Sequence, residues 1–147
     1  MGIYSDKAVE YFECGYNCAQ SVFLAFAPKF NLDKDTALKL SSSFGGGMGR
    51  LREVCGAVSA MFAIAGLKYG YTEPDNIELK TKHYELIQHL AVEFKKHHES
   101  LICRELLGMP EGTDTPEPSP RTEQYYKERP CANFIRTAAD IIENELL

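Results

Sequence analysis

The sequence predicts an all-α protein, a single-domain bundle of about six or seven helices with a glycine-rich loop and a proline-rich surface segment. Three observations predict it. Apolar residues recur at three- and four-residue spacings along most of the 147-residue chain, and strand-type alternation is nearly absent. Helix start and stop signals fall between those stretches. Length suits one domain (residues 1–147), and 44% hydrophobic with 25% charged residues is ordinary globular composition.

Ala8, Tyr11 and Phe12 predict a first helix, ended by Gly15. Asn17 and Gln20 form a capping-box pattern for a second, with Cys18, Val22 and Phe26 on one face and Pro28 near its end. Asp33 caps a third through Leu38 and Leu40. The segment from Gly45 to Gly49 has four glycines in five positions and predicts a break. The apolar stretch from Cys55 to Leu67 fits a buried helix by length and alanine content. Pro74 suits the first turn of a long helix to His98, with Tyr84, Ile87, Leu90, Ala91 and Phe94 as its stripe. Ser100 precedes a short helix, Leu101 to Leu107. Residues 109–129, with Pro110, Pro116, Pro118 and Pro120, read as extended surface chain. Pro130 opens a last helix carrying Ile135, Ala138, Ala139, Ile142 and Leu146 on one side.

Sixteen Lys and Arg against twenty-one Asp and Glu give a net charge of −5, and no block of like charge appears, which argues against nucleic-acid binding. The longest apolar run, Val54 to Leu67, is short of the roughly 20 residues that span a bilayer, so no membrane insertion is expected. The amino terminus has no apolar signal region, which predicts a cytoplasmic chain.

Cys14, Cys18, Cys55, Cys103 and Cys131 are too sparse for a disulfide scaffold, and without a Cys-x-x-Cys pair they do not form a zinc finger. Four of them share a position: Cys18, Cys55, Cys103 and Cys131 each fall in the first turn of a predicted helix, on its apolar face. A thiol there meets unpaired N–H groups and the positive end of the helix dipole, worth about 0.3–1 kcal/mol against about 1.4 kcal/mol per pKa unit. The expectation is a modest shift toward thiolate, enlarged if Arg50 and Arg52 face Cys55, Arg104 faces Cys103 and Arg129 faces Cys131. The plainer reading is a buried cysteine packing as a small hydrophobe. If the set is functional, at least three of the sulfurs should lie within a disulfide or shared-metal distance.

Gly45, Gly46, Gly47 and Gly49 fit neither nucleotide-binding fingerprint; they suit a tight reversal, or a nest of N–H groups for an anion or cluster sulfides. Glu93 and His97, four apart, form a weak metal pair, most of His83, His89, His97 and His98 read as solvent-facing, and Tyr125 and Tyr126 read as cover for the bundle.

Gly15-Tyr-Asn-Cys18-Ala-Gln-Ser-Val, Phe44-Gly-Gly-Gly-Met-Gly, Cys55-Gly-Ala-Val-Ser, Cys103-Arg-Glu-Leu-Leu-Gly108 and Cys131 occur in that order. Together they resemble the C-GCAxxG-C-C family of small bacterial and archaeal proteins, whose description assigns a redox role. The resemblance covers nearly the whole chain. It implies four family cysteines, matching Cys18, Cys55, Cys103 and Cys131, and gives Cys14 no role. One departure is Ala60, where the Cys-Gly-Ala-x-x-Gly element has its last glycine. Relatives include c-type cytochromes, but with no Cys-x-x-Cys-His here covalent haem is not implied.

Three functions follow. In the first the four cysteines are redox thiols, either exchanging disulfides with an unidentified partner or holding an iron–sulfur cluster or other metal, with Gly45–Gly49 N–H groups tuning it. The second is a non-catalytic anion- or metal-binding sensor built on the glycine loop. The third is a structural helical protein whose apolar stripes form a homo-oligomer. Whether the protein is an enzyme stays open.

Overall fold

In a computed structural model describing residues 2–147, eight α-helices follow one another, with no strand among the described residues. α1 (Ile3–Glu13) is closed at its start by a reciprocal pair, Gly2 N–H donating to Ser5 Oγ at 3.0 Å and the Ser5 hydroxyl donating to the Gly2 carbonyl at 2.9 Å. The chain turns through Gly15 at φ +108° into α2 (Cys18–Phe26). There the predicted capping box is formed: Gln20 N–H donates to Asn17 Oδ1 at 2.8 Å, and Asn17 N–H donates to Gln20 Oε1 at 3.2 Å. Pro28 sits in a 3-10 turn, and α3 (Lys34–Ser42) is capped by Asp33, which accepts from Thr36 N–H at 3.0 Å.

After the glycine segment come α4 (Gly56–Tyr69), α5 (Ile77–His98), α6 (Cys103–Leu107), α7 (Glu123–Glu128) and α8 (Cys131–Leu146). Two starts differ from the sequence expectation. α5 begins at Ile77 rather than Pro74, because Asn76 accepts from Leu79 N–H at 3.0 Å and fixes the first turn there. Ser100 does not cap α6: its hydroxyl accepts from Ile102 N–H at 3.0 Å and donates to Glu105 Oε1 at 2.6 Å, so the helix starts two residues later. α7 is the additional helix. It lies inside the segment read as extended and is capped by Thr122, which accepts from Tyr125 N–H at 3.2 Å.

α2 packs on α1, α3 and α4; α8 lies across α1, α2 and α4; α5 closes one side against α4 and α8. Phe12, Phe26, Met61, Ile64, Leu90, Phe94, Ile135 and Ile142 are buried at the contact, each contributing roughly 1.5–3 kcal/mol by leaving water. α4 shows no clear apolar stripe because apolar residues stand on both its faces: Val58, Met61, Ile64 and Ala65 are buried, while Ala63 and Leu67 are exposed.

One piece of β geometry was invisible in the periodicity. Val54 and Ile102 form an isolated antiparallel bridge. Cys55 N–H donates to Leu101 O at 2.8 Å, and Cys103 N–H donates to Glu53 O at 2.6 Å. This short ladder sets Cys55 and Cys103 side by side although 48 residues separate them, and it begins the functional site.

Candidate functional site: a cavity ringed by four cysteines

The sequence placed four cysteines at helix starts, and the structure puts them there. Cys18, Cys103 and Cys131 are the first residues of α2, α6 and α8, and Cys55 is the cap residue before α4. These four ends point at one cavity of about 410 Å³, lined by all four cysteines. Cys14 is exposed and outside it. All five are free thiols, and among the described residues no three His, Cys, Asp or Glu side chains gather where they could hold a metal ion. The sulfurs therefore share a cavity with no disulfide between them and no three placed for a single ion. The Glu93–His97 pair gathers no metal-holding group either: Glu93 accepts from Lys96 Nζ at 2.6 Å.

Gly45, Gly46 and Gly49 line the cavity. From Gly46 to Arg50 every residue has positive φ (69°, 70°, 71°, 59° and 65°), and Arg52 follows at 60°. Such a left-handed run is accessible to glycine but costs roughly 1–2 kcal/mol at each of Met48, Arg50 and Arg52. Gly47 stands behind the wall rather than on it. A Cβ there would lie 2.6 Å from Cys103 Cβ and 2.8 Å from Arg52 Cα, so only glycine lets the turn pass behind Cys103. At Gly56 a Cβ would fall on Cys18 Sγ.

The helix-end argument has the right sign and loses on magnitude. The Cys18 sulfur meets backbone N–H groups of Gly46, Ala19 and Gly56, and Cys55 meets those of Val58 and Ala57, all favouring thiolate. Burial outweighs them. It raises the Cys18 thiol, raises Cys55 well above the ordinary range, and with the charge of Cys18 pushes Cys131 up to about 12. The thiolate expectation is thus reversed for these three. Desolvation of a buried anion costs more than the half-charge of a helix end returns.

The arginines also redistribute. Arg52, 3% exposed, does not serve Cys55: its Nη1 donates to Cys103 Sγ at 3.5 Å, while Nε and Nη2 donate to Asp114 Oδ2 at 3.2 and 2.9 Å. Arg50 donates to the same carboxylate oxygen at 2.9 Å and to Thr115 O at 2.6 Å. Arg104 turns away to Glu53 at 2.7 Å. Only Arg129 behaves as expected, its charge partly offsetting the upward pressure on Cys131.

Sequence reading missed Arg121 and the role of residues 109–129. Pro116, Pro118, Ser119, Arg121, Tyr125 and Arg129 form the far wall of the cavity. Arg121 donates to Phe12 O at 3.0 Å and Tyr16 O at 3.1 Å, with its guanidinium over the Phe12 ring at 4.7 Å. Tyr126 donates to Phe12 O at 3.2 Å and does cover the bundle, whereas Tyr125 faces the cavity. His98 turns inward, set between Phe94 and Phe134 with a 2.8 Å hydrogen bond to Thr137. No local pattern singled out Arg121 in advance: it precedes the cap of α7, and its partners Phe12 and Tyr16 lie 109 and 105 residues away.

The family profile described as “Putative redox-active protein (C_GCAxxG_C_C)” matches residues 16–145. The chain belongs to this family. The C_GCAxxG_C_C match includes the four cavity cysteines and leaves Cys14 outside. Ala60 lies within α4, where it lines a separate apolar groove with Phe23 and Leu40. Its methyl group therefore leaves the C_GCAxxG_C_C cavity untouched. Comparisons with curated proteins and with solved structures found no further match. No helix among the described residues is long and apolar enough to cross a membrane.

Proposed function

We propose that this C_GCAxxG_C_C protein is an electron-transfer protein in which Cys18, Cys55, Cys103 and Cys131 hold an iron–sulfur cluster. One observation carries the reading: four thiols from four separate helix ends face one cavity whose lining includes Arg50, Arg52, Arg121 and Arg129 and no carboxylate. The donor set fits. Soft thiolate ligands and N–H groups directed at sulfur suit iron–sulfur ligation. A single zinc ion needs its ligands about 2.3 Å away, and the thiols do not gather that closely. A polynuclear cluster accepts sulfurs that stand farther apart.

A bound cluster would supply a one-electron store. The chain supplies the rest. The guanidiniums offset the negative charge of gathered thiolates, the N–H groups of Gly46 and Gly56 face the Cys18 sulfur and favour its thiolate, and the apolar bundle limits water. Thiol–disulfide exchange is the second reading, favoured by the four thiols lining one cavity. It is disfavoured by burial, which keeps three of the four thiols protonated near neutral pH and so poor as attacking nucleophiles.

Anaerobic purification with iron, sulfide and thiol quantitation tests both. Stoichiometric iron and acid-labile sulfide with a visible charge-transfer band, lost in Cys55→Ser and Cys103→Ser but kept in Cys14→Ser, is the expected result. Colourless protein after reconstitution, with reversible oxidation of two or four thiols, would overturn the cluster in favour of exchange.

A further inference from the structure

The charge on the cavity wall is unusual for this chain. Its net charge is −5, yet the cavity lining carries four arginines and neither Asp nor Glu. Three of the four guanidiniums are committed. Arg50 and Arg52 share Asp114, and Arg121 is spent on the Phe12 and Tyr16 carbonyls. Arg129 is different. Its guanidinium lies over the Tyr125 ring at 5.3 Å and has neither a carboxylate nor a hydrogen-bond partner among the described residues. An arginine stacked on an aromatic face keeps its planar fork of N–H donors free at the edge, a geometry matched to two oxygens of one anion. Arg129 lines the same cavity as the four cysteines and stands two residues before Cys131, so an anion held there would share the cavity with the thiols.

We propose that the cavity binds a small oxyanion or carboxylate on Arg129, next to the cysteine ring. This names the ligand class of the redox site and adds to the reading above. The binding step itself depends only on the polypeptide, because the guanidinium is there with or without a cluster. No electron transfer to the anion is part of the proposal.

Isothermal titration with sulfate and with oxalate, against sodium chloride at equal ionic strength, tests it on the full chain in colourless and iron-loaded forms. The expected result is a saturable isotherm in both forms, weakened at least about tenfold in Arg129→Gln, the loss of one charge-assisted contact. Arg129→Lys, which keeps the charge without the fork, should fall between, and Arg136→Gln, on the far ion pair with Asp6, should match the parent. The tighter of the two anions identifies whether an inorganic oxyanion or a carboxylate is preferred. Far-UV circular dichroism checks that each variant is folded, and Arg129→Lys reads the same constant if Arg129→Gln is not. Binding no stronger than chloride, or unchanged by either Arg129 substitution, would overturn the proposal. So would binding confined to the colourless form, since Arg129 would then only neutralise the centre. If the chain takes up no iron, the cluster reading fails separately and the colourless isotherm still decides the anion site.

Discussion

Residues 45–55 and residues 109–122 face each other across the cysteine cavity and are held by different forces. The first wall is knitted by backbone: Glu53 N–H donates to Gly47 O at 2.8 Å, Arg52 N–H to Gly46 O at 3.3 Å, and the ladder to residues 101–104 continues it. Its glycines allow the left-handed path and its close fit behind Cys103. The second wall is rich in proline, which removes N–H donors, and it hangs on few points. Asp114 takes both Arg50 and Arg52 and gives one backbone bond, Asp114 N–H to Arg50 O at 3.1 Å, while Arg121 pins the other end to α1. One wall defines where the sulfurs stand. The other covers them and is joined to the first through Asp114, Arg50 and Arg52.

The largest test of that contrast is Gly47→Ala. The added methyl meets Cys103 Cβ, Arg52 Cα and the Glu53 nitrogen, and the φ of +70° is unfavourable as well. A loss of about 3 kcal/mol is expected from overpacking and left-handed strain together, measured by urea denaturation, with loss of iron uptake. Stability within about 0.5 kcal/mol of the parent would mean that the first wall is not rigid.

Thiol labelling comes next in size. Cys14, exposed and outside the cavity, should react with iodoacetamide at pH 8 at least about tenfold faster than Cys55 or Cys131 in metal-free protein, read by peptide mass spectrometry. Equal rates would show the cavity open to solvent. The same upward shifts predict alkaline sensitivity. The folded thiols keep their protons where unfolded ones, with pKa about 8.5, lose them. Their contribution is complete below that pH and is lost as pH rises toward about 12, the folded value of Cys131. A flat stability profile through that range would contradict the burial argument.

Asp114→Asn probes the second wall and should act on access rather than on the bundle. Hydrogen bonds from Arg52, with added help from Arg50, hold its carboxyl below the usual range. Its contribution is therefore present above the unfolded carboxyl pKa of about 3.9 and fades as acid carries the pH down through the folded value. The variant at pH 7 should show severalfold faster proteolysis within residues 109–122 and faster cavity-thiol labelling, with the thermal midpoint little changed. Unaltered cleavage would show that Arg121 and the Arg50 hydrogen bonds to Thr115 and Ser119 secure this strap, residues 109–122, without the carboxylate.

The smallest effect belongs to Ala60→Gly, which restores the family glycine. The site is inside α4 and lines the separate apolar groove, so the change should cost about 1 kcal/mol of helix stability and leave labelling and iron uptake as they were. An altered cavity would show that the two faces of α4 are coupled.

Local chemistry made much of this legible in the sequence. The caps at Asn17 and Asp33, the proline start of α8 and the glycine break are decided by residues within four positions of one another, and so is the placement of four cysteines at helix starts. Other features depend on residues far apart in the chain. The 53–55 and 101–103 ladder, the turn of Arg52 toward Cys103 instead of Cys55, the pinning of Arg121 on α1 and the strap as a cavity wall all join segments tens of residues apart. So does the protonation of the thiols. A sequence shows the half-charge at a helix end, but the desolvation that outweighs it is set by everything packed around the sulfur, and that exists only once the chain has folded.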